Sequence, residues 1–141
     1  MAAIVDPLRD LPGYALRRAS ATVMAKLAER LTALDLRPSE ASVLLVIDAN
    51  PGVTQSEIGR LLDIARANMA PLTARLVARD LIVRESVGGR SHGLTLSESG
   101  RRMTRKAQRI VSDLEVELME RIPSAQRAAF LRTLKGLVTG W

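Results

Sequence analysis

The stretch from Thr54 to Gly100, TQSEIGRLLDIARANMAPLTARLVARDLIVRESVGGRSHGLTLSESG, leaves this chain few ways to fold. Thr54-Gln55-Ser56-Glu57 is a capping box: the Thr54 hydroxyl can accept from the backbone N–H three residues on, and the Glu57 carboxylate can reach back. Ile58, Leu61 and Leu62 then face inward from a short helix, and Asp63-Ile64 forms a turn. A second helix runs to about Arg79, with Met69, Leu72 and Leu76 on its core side. Pro71 cannot donate an amide hydrogen, so this helix is expected to start near Ala67 or Asn68, with Pro71 in its first turn. Leu81 to Ser86 is β-branched and partly alternating, as a half-buried strand should be. Gly88-Gly89-Arg90 makes a hairpin tip, His92 to Leu96 returns, and Ser97 is an N-cap for a further helix.

Helix, turn, helix, strand, tip and strand, in that order, are the ground plan of a winged helix-turn-helix, whose second helix can enter a DNA major groove. Charge agrees with that plan. Residues 66–109 hold ten Arg and Lys against three acids, a net of +7, whereas the rest of the chain carries −1. A pI near 10.9 fits an anionic partner such as DNA or an acidic membrane surface.

The flanking segments read as helices. From about Arg9 to Leu34 apolar residues recur at helical spacing, and Pro12-Gly13 delays regularity past the first turn. Small residues along this long helix suit either a dimer contact or packing on its own domain. Pro38 opens a nearly apolar helix over about 39–49, which Asn50-Pro51-Gly52 ends. The helix after Ser97 extends to about Arg121, with Met103, Ala107, Ile110, Val111, Leu114 and Leu118 on one stripe. Pro123 stops it, and Ser124 is placed to cap a last helix carrying Ala128, Leu131, Leu134 and Leu137 or Val138. The chain of 141 residues is one domain's worth, mainly α with a small β-wing. With only Tyr14, Phe130 and Trp141 aromatic, its core must be aliphatic.

Several function classes are excluded or weakened. No cysteine means no disulfide, thiol nucleophile or thiol redox sensor. One histidine, His92, would have to serve every acid–base scheme, and the chain shows no phosphate-cradling loop, so an enzyme is not expected. Asp113 and Glu117 have the spacing of a metal pair, but no His or Cys completes a site, and neither metal nor cofactor is expected. No segment is apolar for the length of a membrane span and no signal pattern opens the chain, so the expected location is the cytoplasm.

With the elements in order, the chain resembles the multiple-antibiotic-resistance regulator (MarR) family across nearly its full length. The carrying residues are Leu11-Pro12-Gly13-Tyr14 with Leu16-Arg17-Arg18-Ala19, Thr54 to Leu62, and Ala67-Asn68-Met69-Ala70-Pro71-Leu72. Arg90 stands six residues before Leu96-Ser97-Glu98-Ser99-Gly100, the place of the family's wing arginine. Four positions depart from the family pattern. Gly88 replaces the aspartate that braces the wing arginine, Asp80 replaces a glycine ending the second helix, and Ala70-Pro71 replace polar base readers.

The resemblance implies an obligate homodimer, with a winged helix-turn-helix over residues 36–98 and helical dimerisation segments at 9–34 and 99–141. It implies a transcriptional regulator, a repressor of a pseudo-palindromic operator in double-stranded DNA with half-sites about one helical turn, roughly 34 Å, apart. It also implies a cleft for small, often aromatic, anionic effectors such as an aryl carboxylate or phenol. On this reading Arg66 and Asn68 meet guanine and adenine edges, and Ala70 and Pro71 touch thymine methyls. Arg75 and Arg79 neutralise phosphates, and Arg90 enters the minor groove or grips its backbone. Tyr14, Arg17 and Arg18 would line the effector cleft, an arginine pairing with a carboxylate, and Met24, Val43, Ile47 and Met103 would supply apolar walls. Packing or dimer contacts account equally well for that last set. Two other readings stay open: a winged-helix module that binds protein, and a DNA-binding regulator that answers to no ligand.

Overall fold

The computed structural model describes residues 1–86, 88–89 and 91–141. Its helices are α1 (Pro12–Leu31), α2 (Pro38–Ala49), α3 (Gln55–Leu61), α4 (Arg66–Ala78), α5 (Glu98–Glu120) and α6 (Arg127–Thr139). Strands β1 (Val53–Thr54), β2 (Ile82–Ser86) and β3 (His92–Leu96) form an antiparallel sheet in the order β1-β3-β2. Ile82 pairs with Leu96 and Ser86 with His92, so the two long strands run in register up to the tip.

Local chemistry explains most boundaries. The capping box forms as expected: Glu57 N donates to Thr54 Oγ1, and Thr54 N and Oγ1 both donate to Glu57 Oε2 at 2.8 Å. Those bonds hold the Glu57 carboxyl below the usual carboxylate range, the Thr54 backbone N–H first among them. Ser97 Oγ accepts from Gly100 N at 2.9 Å and starts α5. The sheet differs from expectation in two respects. β1 was too short to read and is recruited by its neighbour, Gly52 N donating to Leu94 O. β2 is an edge strand, so only Ile82 is buried and Val83 to Ser86 are exposed.

The C-terminal junction also differs. Ser124 caps no helix; it opens a 3-10 turn (Ser124–Gln126), and α6 begins only at Arg127 without a side-chain cap. Arg127 Nε donates to the carbonyls of Met119 and Ile122, so an arginine satisfies the end of α5 and sets the turn.

The core is aliphatic. Leu31, Val43, Leu44, Ile47, Ile58, Leu76 and Leu94 are at most 1% exposed, and they join α1, α2, α3, α4 and the sheet. All three aromatics lie outside it, Tyr14 and Phe130 half-buried and Trp141 fully exposed. α5 packs along both α2 and α1. Arg30 Nη2 and Glu117 Oε2 meet there at 2.6 Å, which lowers the Glu117 pKa and raises that of Arg30. What this exposed pair contributes is present above the ordinary carboxylate range and fades as pH falls through the lowered Glu117 pKa.

Gly100 is where the wing unit and α5 meet most closely. A Cβ there would lie 1.8 Å from the Leu81 carbonyl oxygen, the same oxygen that accepts from Ser97 N. Backbone cannot yield that much without moving α5. Gly100→Ala is therefore expected to cost at least about 2–3 kcal/mol, read as a lowered urea midpoint at unchanged m-value.

Candidate nucleic-acid interface

Contacts along nearly its whole length fix α4, and they decide which of its residues face outward. Against α3 the approach depends on Gly59, whose missing Cβ leaves Met69 Cγ and the Ile64 carbonyl 3.1 and 3.2 Å from where it would stand. Asp63 makes the turn between them in the left-handed region, at φ 53°.

The second contact centres on Glu40, at the start of α2 and only 1% exposed. Its Oε1 accepts from Arg37 N at 2.9 Å and its Oε2 from Arg75 Nε at 2.8 Å. Arg75 Nη2 also reaches the carbonyl and carboxylate of Asp35, at 3.2 and 3.4 Å. Hydrogen bonding to Glu40, first, and then its charge raise the Arg75 pKa. One turn on, Arg79 donates to the carbonyls of Leu34 and Asp35.

The third contact is at the end of α4. Asp80 adopts φ 56° where the family pattern has glycine, and both Ser97 and Ser99 donate to its carbonyl. Ser97 thus serves two helices at once.

Met69, Thr73 and Leu76 consequently point into the core, while Arg66, Asn68, Ala70 and Pro71 are exposed on the N-terminal half of α4. They do not share one side as expected: Arg66 is on the flank toward α3 and the wing, and Asn68 and Pro71 are on the flank toward α2. Arg75 and Arg79 do not join them. A buried carboxylate requires a cation, and the open carbonyls of Leu34 and Asp35, at the end of the 3-10 turn Thr32–Leu34, require donors. Arg75 is therefore drawn to the start of α2 and to that turn, and Arg79 to the turn. α4 also starts earlier than expected, at Arg66, which puts Pro71 sixth in the helix instead of in its first turn. The donor that Pro71 lacks would have met the carbonyl of Ala67 on the exposed side, where water can replace it. Ala65, at the N-cap, offers no side-chain acceptor. Arg90 lies outside the described residues.

The three residues expected at an effector cleft do come together. Tyr14 is half-buried, the Arg17 and Arg18 guanidiniums stand 5.2 and 5.8 Å from its ring centre, and Arg18 Nη1 donates to its hydroxyl at 3.2 Å. The expected apolar walls do not form a set: Val43 and Ile47 are core residues at 0% exposure, Met24 is exposed and Met103 half-buried. Residue reading missed Glu40 and the Ser97–Ser99 pair. The signal for Glu40 was its place three residues after the N-cap, obscured because Arg37 occupies the cap.

Comparison with known proteins points one way. The sequence pattern of the MarR family matches residues 34–90. The chain is 33% identical to the transcriptional repressor CouR in a structure bound to p-coumaroyl-CoA, covering 99% of this chain and all of the other at TM-score 0.88. CouR bound to a 23-mer DNA duplex gives 34% identity, 98% and 99% coverage and TM-score 0.87. An HTH-type transcriptional repressor of Mycobacterium tuberculosis is 26% identical over 131 residues, 91% of this chain and 94% of its own length. A MarR-family protein of the same species, in complex with salicylic acid, is 25% identical with TM-score 0.71, covering 96% and 99%.

The division of labour among the arginines is measurable in the protein without DNA. Arg75→Met should lower the urea midpoint at unchanged m-value, because it leaves the Glu40 carboxylate, 1% exposed, without its cation. Arg66→Met, at an exposed position without an ion pair among the described residues, should change stability by less than about 0.5 kcal/mol.

Proposed function

This chain belongs to the MarR family, and from that membership we propose that it is a homodimeric, cytoplasmic transcriptional repressor that seats two copies of α4 in an operator and leaves it when a small aromatic anion binds. The observation that carries the reading is the sorting of α4: Arg75 and Arg79 are consumed in fixing the helix, and Arg66, Asn68, Ala70 and Pro71 are left facing out. The exposed first turns of α4 offer a fork for guanine on one flank, and on the other an amide for adenine beside an apolar surface for thymine methyls. Arg90, on the wing, is assigned to the minor groove or its backbone by the family pattern.

The helices outside the winged unit support the dimer. α6 has no buried residue in the single chain, and Leu131 and Leu137 on it are exposed, as are Leu11, Leu16 and Met24 on or just before α1. So much apolar surface on the first and last helices fits a second copy interleaved with the first, residues 9–34 and 99–141 forming the dimerisation region and 36–98 the winged unit. No helix among the described residues is long and apolar enough to cross a membrane. Chemistry on a substrate is no part of this reading, since a lone histidine and no cysteine provide no paired nucleophile and base.

Effector binding rests on Tyr14, Arg17 and Arg18, where a ring and two guanidiniums are already assembled at the start of α1. An aryl carboxylate would stack on the one and pair with the others. Of the ligands in the solved neighbours, salicylic acid is an aryl carboxylate, and p-coumaroyl-CoA is a phenol whose carboxyl is a thioester and whose negative charge lies on phosphates, with which guanidiniums also pair.

Two outcomes are expected with the DNA upstream of the protein's own gene. Log K against log salt should fall with a slope of about −5 to −7, as for six to eight neutralised phosphates per dimer; a slope near zero contradicts the reading. Arg66→Ala should weaken operator binding by about 1–3 kcal/mol per half-site and relax the preference for guanine at one position, in a gel-shift competition against substituted duplexes.

A further inference from the structure

Beside the exposed start of α4 lies a recess of about 490 Å³ whose strand residues the reading above does not use. Five elements line it: Thr54 from β1, Gln55 and Ser56 from α3, Arg66 from α4, Arg84 from β2 and His92 from β3. Strand register puts the last two together. Arg84 pairs with Leu94 and Ser86 with His92, so these four side chains share one face of the hairpin. Glu85 pairs with Gly93 and points to the opposite face.

The charge of the recess is one-sided. Arg66, Arg84 and His92 are all exposed, and neither arginine makes an ion pair with a described residue. No carboxylate is among its described lining residues. The nearest acid along α3 is Glu57, whose Oε2 is already occupied by the amide and hydroxyl of Thr54. Asp63 lies on the other side of Arg66, in the recess between α3 and α4. Two guanidiniums and an imidazole converging without a counter-charge form a receptor for an oxyanion.

We propose that this recess seats a backbone phosphate of the bound duplex, held by Arg84 and His92 while Arg66 at its edge turns to the base, and that His92 takes up a proton from solvent when the phosphate arrives. The inference rests on the DNA-binding reading and adds to it two contacts and a pH dependence. An imidazole changes charge between pH 5 and 8, and a phosphate beside it favours the imidazolium. The sign follows: the DNA-bound state holds more protons, so affinity is greatest at low pH and is lost as pH rises through the bound-state titration of His92. One unit of displacement in each recess corresponds to roughly tenfold in affinity per subunit, or about a hundredfold for a dimer.

Because His92 is the only histidine, its ring proton signal in the NMR spectrum needs no assignment strategy. The homodimer is titrated from pH 5 to 8 alone, with inorganic phosphate, and with the upstream duplex. The midpoint of the His92 signal should rise with either anion, more with the duplex. Arg84→Gln should shrink the rise and lower the salt slope by about 0.9 per subunit. His92→Gln should flatten the pH dependence of DNA affinity between pH 6 and 8, with the loss of affinity largest at the low end of that range. If the parent binds duplex with a steep salt slope and the His92 midpoint does not move, the phosphate seat is wrong and the DNA-binding reading stands. If no duplex binds, that reading fails, and an unmoved midpoint in phosphate removes the recess as an anion site as well.

Discussion

A carboxylate with 1% of its surface exposed is costly to keep unless a cation and backbone donors surround it, and Glu40 has both. One oxygen takes the amide of Arg37 and so begins α2; the other takes the guanidinium of Arg75 and so fixes α4 against it. A single side chain therefore starts one helix and sets the pose of another. The pose is then confirmed from the opposite end, where Ser97 and Ser99 hold the Asp80 carbonyl and Gly100 lets α5 approach Leu81. Because these ties are made to backbone carbonyls and a buried acid, α4 has little freedom to roll. Its outward residues are outward for a mechanical reason.

That rigidity explains an apparent contradiction in charge. The wing unit is strongly basic, yet two of its arginines, Arg75 and Arg79, are half-buried and turned to partners within the chain. They supply position, while Arg66, Arg84 and the basic face of α5 supply the field that an anionic duplex would meet. Positioning matters because two copies of the chain must present their helices at one separation, and any slack in either would blur it. The exposed apolar residues of α1 and α6 are the counterpart of this requirement, since they fit a partner that sets the separation.

Much of the fold was legible in the residues. The Thr54–Glu57 box, the Ser97 cap, the aliphatic stripes and the Gly-rich tip each have a local cause, and local causes survive folding. The start of α4 was misplaced because the proline rule is local too: in the folded chain the carbonyl that Pro71 leaves unpaired is on the wet side of the helix, so the penalty is small enough for helix to persist through it. β1 escaped notice because two residues carry no periodicity. The Ser124 expectation failed to Arg127, whose reach to two carbonyls is a tertiary event. At the site, the exposure of Arg66, Asn68, Ala70 and Pro71 could be read from helical spacing. The roles of Arg75 and Arg79 could not, for Glu40 and Asp35 lie some forty residues earlier in the chain. Asp35, Asp63 and Asp80 adopt left-handed conformations, each just past a helix or 3-10 turn, which composition alone does not announce.

Hydroxyl-radical footprinting on the upstream DNA tests most directly whether paired, rigidly held helices read one face of a duplex. The account predicts two protected patches of equal extent, symmetric about a centre and separated by one helical turn, about 10–10.5 base pairs. A single patch, or even protection around the whole duplex circumference, contradicts it.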